Sequence, residues 1–328
     1  MKGLRDVSRE EAHRLLERSR EVRWRFPSSS GSPVLADQDT WAEQLLSEKE
    51  SFSAAARTLI ESGDDHEATE LAANVWRLWV MARDPLGGRA FLAAVLDGRE
   101  EEPSRAKALA LYGDGLLAFM VGADDDSRAR SEASLQAARA VQDPEALALA
   151  HLGLSRVAFL DSDYDSARSL AAQARGFAQA LDPAMGQAPL HMHAQGTRFT
   201  GDYEAAAALF EESLAINRRL GDLGMVGVEL HNLGHVEIHR GNVDAAERYF
   251  AECEQLGASD DAYSVAMTHL NQAVVALARG NSDPARALLG DAESILDKTE
   301  TYPAPDDQFE LDWLRGQLAE ASGARDVQ

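Results

Sequence analysis

A short motif recurs along this chain at intervals of about 40 residues, between stretches whose apolar residues follow the helical period. Each copy has Gly or Ser, then Asp or Asn, then a third residue, and an alanine follows three residues later. The copies are Ser162–Tyr164, Gly201–Tyr203, Gly241–Val243 and Gly280–Ser282, followed by Ala167, Ala206, Ala246 and Ala285. This regular spacing predicts a helical repeat protein, in which each unit buries its apolar face on its neighbours.

The chain is acidic: its 328 residues include 32 Lys and Arg against 55 Asp and Glu, a formal net charge of −23. Such a charge repels the phosphate backbone of nucleic acids, so we expect no nucleic-acid partner. The same charge favours solubility and attraction to basic partners. The chain is long for one globular core, but a repeat protein avoids that limit because each repeat packs only on its neighbours.

The sequence has the features of a cytoplasmic protein. No apolar run approaches the roughly 20 residues that span a membrane, and the charged N-terminal residues contain no apolar signal segment. The single cysteine, Cys253, rules out a disulfide within the chain. The equivalent positions of other repeats hold small residues: Ala174, Ser213 and Ala292. We therefore predict that Cys253 fills a tight helix contact, and we expect no membrane partner.

Three regions follow from the composition along the chain. Ser8 and Glu11 have the spacing of a capping box and predict a locally basic helix over residues 7–26. A linker rich in Ser, Gly and Pro follows it. We expect this helix to be a cap or a docking arm, with the acidic surface of the repeats as one candidate partner. The predicted regions are 1–35 (basic helix and linker), 36–298 (repeats) and 299–328 (loop, closing helix over 309–321 and frayed tail).

Two fragments carry a resemblance to a known repeat. Gly201–Ala206, in which a Gly-Asp-Tyr turn precedes a helix, and His231–Gly234 resemble the tetratricopeptide repeat (TPR), a pair of helices joined by a turn. The resemblance implies an all-α fold, a right-handed TPR-like superhelical solenoid of about six helical pairs with capping helices at both ends. The first helices of five pairs are predicted over residues 111–121, 147–160, 190–199, 230–238 and 265–277.

The period exceeds the usual 34 residues of this repeat. The longer form is similar to the C-terminal TPR region of large bacterial ATPase transcription regulators, of the antibiotic-regulatory and LuxR kinds. Trp41–Leu45, Leu71–Ala73, Trp76 and Trp79 carry this likeness, which implies a role in transcriptional or secondary-metabolite regulation. The chain contains no Gly-x-x-x-x-Gly-Lys-Ser/Thr loop, and we expect no room for a helix-turn-helix beyond the repeats. We therefore expect neither ATP hydrolysis nor DNA binding, and we predict no cofactor.

In TPR solenoids the first helix of each pair lines the concave face, and phasing the repeats on the turn assigns the residues that face it. The middle of the implied groove is rich in His, Arg and aromatic residues, which anchor ligands well. Arg156 and Arg198 suit a carboxylate or another anionic group. The alternative is that these residues are solvated or packed against neighbouring repeats. The predicted ligand-binding residues are Tyr112, Arg156, Phe159, His191, Gln195, Arg198, Phe199, His231, His235 and His239.

His231, His235 and His239 are spaced four apart and therefore lie on one face of a helix. His191 has the equivalent position in the preceding repeat. Such histidines can share a zinc ion, but no His-Glu-x-x-His motif or cysteine ligand accompanies them, so we predict no metal. A ligand-contacting histidine that responds to pH is a second interpretation, and an incidental cluster is a third. No Gly-x-Ser-x-Gly motif is present, and we predict no catalytic residue.

A solenoid with this groove predicts a binding protein. The leading hypothesis is a cytoplasmic regulatory protein that holds a peptide, a protein segment or a small ligand in its concave groove. A second hypothesis is a protein that binds or converts a small natural product with the central His and Arg residues. A third is a scaffold or homodimer that associates through apolar patches. An enclosed pocket favours the small molecule, and an open groove favours the peptide or protein.

Overall fold

The computed structural model describes residues 7–24, 38–98, 102–256 and 261–323. All regular structure in these ranges is helical, which confirms the predicted fold class, and no helix there is long and apolar enough to cross a membrane. The helices are α1 (Arg9–Trp24), α2 (Gln38–Glu61), α3 (Asp65–Val75), α4 (Arg77–Met81), α5 (Pro85–Leu96), α6 (Arg105–Met120), α7 (Asp124–Val141), α8 (Pro144–Leu160), α9 (Tyr164–Gln179), a 3-10 turn (Pro183–Gly186), α10 (Gln187–Phe199), α11 (Tyr203–Leu220), α12 (Leu223–His239), α13 (Val243–Gln255), α14 (Ala262–Ala278), α15 (Ser282–Lys298) and α16 (Pro305–Gly323).

The chain forms two compact units. Unit 1 comprises Met1–Thr200 with Arg219–Asp222, and unit 2 comprises Gly201–Arg218 with Leu223–Gln328. In unit 1 the first helices of successive pairs lie side by side, because α6 packs on α8 and α8 packs on α10. In unit 2 α12 packs on α14 in the same way. Each unit therefore has a surface to which first helices from different repeats contribute side chains.

The predicted N-terminal helix is present as α1, which packs on α2 and α3 of unit 1. The amide of Glu11 donates to the hydroxyl oxygen of Ser8 at 3.2 Å, as the capping box predicts. Ala12, Leu16 and Val22 join the apolar core of this unit. The arginines of α1 pair with acidic residues of α2, α3 and the turn between them: Arg9 with Asp64, Arg18 with Glu48 and Arg20 with Glu70. The helix is therefore a cap that acidic residues of the repeats hold in place. Part of its predicted range, and the predicted linker, lie outside the described residues.

The recurring motif forms a turn that ends the first helix of each pair. Its first residue has a positive φ in every copy: 60° at Ser162, 83° at Gly201, 79° at Gly241 and 83° at Gly280. The amide of Gly241 donates to the carbonyl oxygen of Ile238 at 3.0 Å. The next amide, of Asn242, donates to the carbonyl oxygen of Glu237 at 2.8 Å. These two bonds are those of a Schellman motif, whose left-handed residue is most easily glycine.

The second helices carry the predicted small and large apolar residues. The alanines that follow the turns are fully buried: Ala167, Ala206, Ala246 and Ala285. Phe210 and Phe250, four residues beyond two of these alanines, are also buried. A Cβ atom on Gly234 of α12 would come within 2.2 Å of the Phe250 ring. Glycine at this position therefore allows the aromatic ring to pack directly on the neighbouring helix.

Cys253 lies at a helix contact in unit 2. Its Sγ donates to the carbonyl oxygen of Gly227 at 3.4 Å, from α13 to α12. Burial, followed by the nearby charge of Glu254, raises the pKa of the thiol above its ordinary value. A half-buried thiol that resists ionisation has the properties of a packing residue, as its place in the repeat predicts.

The first helices begin earlier than their apolar periodicity predicts. Helix α8 begins at Pro144, three residues before its predicted start, and the carboxylate of Asp143 accepts the amide of Ala146 at 2.8 Å. Capping residues and an N-terminal proline set such starts, whereas the prediction used the first apolar residues. The same difference affects the closing helix, which is predicted over 309–321 and is observed over Pro305–Gly323.

Helix α16 belongs to the apolar core of unit 2 and packs on α14 and α15. Leu311, Leu314 and Leu318 are buried in one cluster with Leu270 and Val274 of α14. The C-terminal helix therefore closes the core of this unit rather than lying on its outside.

Candidate functional site

The ten predicted ligand-binding residues fall into two groups, one in each unit. The group on α6, α8 and α10, here the unit 1 site, consists of Tyr112, Arg156, Phe159, His191, Gln195, Arg198 and Phe199. The group on α12, here the histidine face, consists of His231, His235 and His239. In the unit 1 site Tyr112, Gln195 and Arg198 are buried, and the other four residues are half-buried. The burial of those three residues fits the alternative in which they pack between repeats.

Arg156 joins two repeats of unit 1. Its guanidinium Nη1 donates to the hydroxyl oxygen of Tyr112 at 3.0 Å, which links α8 to α6. Tyr112 is 1% exposed and packs edge-on against Trp76, with ring centres 5.8 Å apart. Among the residues that the structure describes, no carboxylate oxygen lies within 4.0 Å of a guanidinium nitrogen of Arg156, so Arg156 forms no ion pair with them. Because a guanidinium has five N–H donors, Arg156 keeps donors available for an anion.

Three half-buried aromatic rings form a cluster one helical turn from Arg156. The rings of Phe159 and Phe199 meet edge to face with centres 5.0 Å apart. Tyr164 packs on both, at 5.4 Å from Phe159 and 4.8 Å from Phe199. The guanidinium carbon of the buried Arg198 lies 5.4 Å from the centre of the Phe199 ring. The cluster offers an apolar surface of fixed geometry next to a cation.

Tyr164 is absent from the predicted site residues although it belongs to this cluster. It is the last residue of the turn motif, and Tyr203 has the same place in the next copy. Tyr203 stacks on the imidazole of His239 in unit 2, with centres 4.8 Å apart and planes 8° from parallel. The signal that could have identified both tyrosines is the motif itself, since its third residue begins a second helix beside the end of a first helix.

Helix α16 covers the histidine face. His231 Nε2 lies 2.8 Å from Asp307 Oδ1, and His239 Nε2 lies 3.0 Å from Glu310 Oε1. His235 Nδ1 lies 3.3 Å from Glu310 Oε2, and both side chains are fully buried. The rings of His231 and His235 have centres 4.6 Å apart, which confirms that these histidines share one helix face. The sequence does not predict the covering carboxylates, which lie more than 70 residues further along the chain.

Asp307 accepts from two helices. In addition to His231 of α12, the hydroxyl of Tyr263 of α14 donates to its Oδ2 atom. Burial acts to raise the pKa of the Asp307 carboxyl, but the charge and hydrogen bond of His231 and the hydrogen bond of Tyr263 bring it below its ordinary value. Burial and the neighbouring carboxylate raise the pKa of the Tyr263 hydroxyl. Asp307 is therefore an ionised acceptor, and Tyr263 is a donor.

Further groups complete the surroundings of the histidines. His235 Nε2 is 3.0 Å from Asn271 Oδ1, so this imidazole has a polar group on each side. His239 is enclosed by Trp313, with ring centres 4.8 Å apart, and by Phe309 at 6.1 Å. Among the described residues, no group of three or more His, Cys, Asp or Glu side chains has the geometry to hold a metal ion. The histidine face is thus a set of imidazoles engaged with carboxylates and aromatic rings.

The fold places the chain in a class of proteins, the helical solenoids built from tetratricopeptide-like repeats. No protein-family model matches the sequence, and a search of curated proteins gives no match. Solved structures do match. One is a tetratricopeptide repeat protein from Parabacteroides merdae, with a TM-score of 0.52 at 12% identity over 93% of this chain and 98% of that chain.

Two further matches have more specific names. The Rap protein, solved in complex with Competence and Sporulation Factor, gives a TM-score of 0.61 at 14% identity and covers 94% of this chain and 80% of its own. The quorum sensor NprR, solved in complex with its cognate peptide NprX, gives 0.53 at 18% identity over 79% of each chain. At these identities the likeness shows the fold, which confirms the predicted TPR-like solenoid. The likeness to ATPase transcription regulators stays a prediction from sequence.

Proposed function

We propose that this protein is a regulatory TPR protein that binds a peptide or a protein segment at the unit 1 site, with the C-terminal carboxylate of the ligand on Arg156. One observation carries the proposal. In a chain of net charge −23, the half-buried guanidinium of Arg156 donates to the hydroxyl oxygen of Tyr112 and has no ion-pair partner among the described residues. Guanidinium groups bind carboxylates in a bidentate geometry with strong charge-assisted hydrogen bonds.

The aromatic cluster suits the neighbouring part of such a ligand. Phe159, Tyr164 and Phe199 present half-buried rings one helical turn from Arg156, where an apolar side chain of a peptide could pack. A carboxylate anchor beside an apolar contact is a common basis for peptide recognition. The complex of NprR, which has this fold, with its cognate peptide supports a peptide as the ligand class.

The biological setting of the proposal comes from the sequence resemblance. We propose a cytoplasmic role in transcriptional or secondary-metabolite regulation, in which the bound ligand changes the surface offered to a partner. A small natural product is the competing ligand class, because a planar aromatic compound could also use the aromatic cluster.

The test uses two sets of fluorescein-labelled peptides of mixed sequence, one with a free C-terminal carboxylate and one amidated, titrated with the full chain by fluorescence anisotropy. We expect tighter binding of the free-carboxylate set. Arg156→Gln should weaken that binding by about tenfold to a hundredfold, since a charged hydrogen bond contributes about 1.5–3 kcal/mol. Arg156→Lys, which keeps the charge and loses the planar fork, should give a smaller loss.

Arg139→Gln is the matched control, because Arg139 is exposed on α7 and the substitution changes the net charge equally. It should leave the affinity unchanged. Equal weakening by Arg139→Gln and Arg156→Gln, or equal affinity for free and amidated peptides, would contradict the proposal. Binding of planar aromatic compounds in the absence of peptide binding would favour the small-molecule alternative.

A further inference from the structure

Helix α16 has the pattern of a helix that binds in a groove. Asp307, Glu310, Leu311, Leu314 and Leu318 recur at helical spacing and are all buried in unit 2. The residues between them are largely exposed. Leucines at this spacing are the apolar anchors by which a helix docks in a groove, and α16 adds two buried carboxylates on the same side.

The surface beneath α16 complements its two carboxylates. Asp307 meets the imidazole of His231 and the hydroxyl of Tyr263, and Glu310 meets the imidazoles of His235 and His239. A helix without these carboxylates would cover His231, His239 and Tyr263 and offer them no charged acceptor in place of Asp307 and Glu310. The surface therefore selects acidic helices by penalising neutral ones.

A short connection holds α16 at this surface. Helix α15 ends at Lys298 and α16 begins at Pro305, with a non-helical segment between them in which Tyr302 is 90% exposed. A tether of this length gives the tethered helix an effective concentration on the order of millimolar. A free helix that makes the same contacts is therefore at a disadvantage in competition with the tethered α16, unless the contacts of α16 are weakened.

We propose that the histidine face, together with Tyr263 and the apolar surface of α14, is a docking site for an acidic amphipathic helix of a partner protein. Helix α16 occupies this site within the chain. The partner helix carries the pattern Asp-x-x-Glu-Leu-x-x-Leu of residues 307–314 and replaces α16, so that the leucines of the partner cover the apolar core that α16 leaves. This site is separate from the unit 1 site, and the inference does not depend on the proposed peptide binding there.

The test uses a fluorescein-labelled peptide with the sequence of residues 303–321 and the full chain. We expect weak binding to the wild-type chain, where α16 competes. In a chain with Asp307→Asn and Glu310→Gln the internal helix loses its charged contacts, and the peptide should bind about tenfold more tightly or better. Adding His231→Ala and His239→Ala to that chain should remove the gain. A peptide with Asn and Gln at the two acidic positions should bind more weakly than the acidic peptide.

The matched control is a chain with Asp312→Asn and Glu320→Gln, which makes the same charge change on the exposed side of α16. It should bind the peptide as weakly as the wild-type chain. An equal gain in this control, or no gain in the Asp307→Asn and Glu310→Gln chain with its helical circular dichroism intact, would overturn the proposal.

A second measurement serves if the doubly substituted chain does not fold. Hydrogen exchange of the wild-type chain is followed with and without a large excess of the acidic peptide. We expect the amides of residues 305–323 to exchange at least about tenfold faster with the peptide present, since displaced helices lose their protection. Unchanged exchange at a peptide concentration of several millimolar would show that α16 is a fixed cap and would overturn the proposal.

Discussion

Gln187 is the first residue of α10, and its side chain is fully buried in unit 1. Neither its amide nitrogen nor its amide oxygen has a hydrogen-bond partner within the described part of the chain. Each such group costs about 1–3 kcal/mol of stability. Methionine has a similar volume and no need of partners, so Gln187→Met should raise the free energy of unfolding by about 1–2 kcal/mol, as measured by urea denaturation.

Gln173→Met provides the comparison, because Gln173 is exposed on α9 and the chemical change is the same. This control should change the free energy of unfolding by less than about 0.5 kcal/mol. A loss of stability in Gln187→Met would show that water or a ligand group satisfies the amide in solution.

The carboxyl group of Asp307 makes the stability of the fold depend on pH in the acidic range. The pKa of its carboxyl in the folded protein lies below the value of about 3.9 of an unfolded chain. A group of this kind stabilises the fold above about pH 4, and the contribution is lost as the pH falls through the folded pKa. Urea denaturation at pH 5, 4 and 3 should therefore show a steeper loss of stability for the wild-type chain than for Asp307→Asn. Parallel losses would contradict the assignment of Asp307 as an ionised acceptor.

The repeated turn requires a left-handed backbone conformation, and substitutions can measure its cost in stability. Ser162 occupies the left-handed position that glycine holds in the other three copies, at φ 60°. Relief of that conformation should make Ser162→Gly more stable by about 0.5–1 kcal/mol, and Gly241→Ala should be less stable by about 1 kcal/mol. Gly176→Ala is the control: Gly176 lies inside α9 with nothing within 4 Å of an added Cβ, so this change should stabilise by about 1 kcal/mol. Thermal unfolding of the three variants measures these changes in stability. A Gly241→Ala chain that is more stable than the wild type would contradict the Schellman assignment.

The positions of the elements could be predicted well where the signal was local. The turns and the buried alanines follow from neighbouring residues, since a left-handed residue and a close helix contact each limit the choice of side chain. Helix starts were predicted late, because capping by residues such as Asp143 sets them. The alignment of His231 and His235 on one face follows from the helical period. Their engagement by Asp307 and Glu310 could not be predicted, because no local pattern links residues more than 70 positions apart.

At the scale of the whole molecule, a repeat protein transmits the loss of a contact mainly to neighbouring elements. Leu314 is fully buried where α16 closes the core of unit 2. Leu314→Ala should lower the free energy of unfolding by about 2–5 kcal/mol and should accelerate hydrogen exchange in α14, α15 and α16. Leu86→Ala, at a residue that is 67% exposed in unit 1, should have little effect. Uniformly faster exchange in every helix of the Leu314→Ala chain would show that the molecule opens only as a whole.

The distance along the chain between His231 and its acidic partner also has a consequence for synthesis. Asp307 is made 76 residues after His231. At a translation rate of roughly 5–20 residues per second, the histidines precede their covering helix by about 4–15 seconds. During that interval the nascent chain adds the turns at Gly241 and Gly280 and the whole of α14, which leaves a polar, aromatic-rich surface without its covering helix. Any acidic helix near the ribosome meets that surface before the competition from α16 begins.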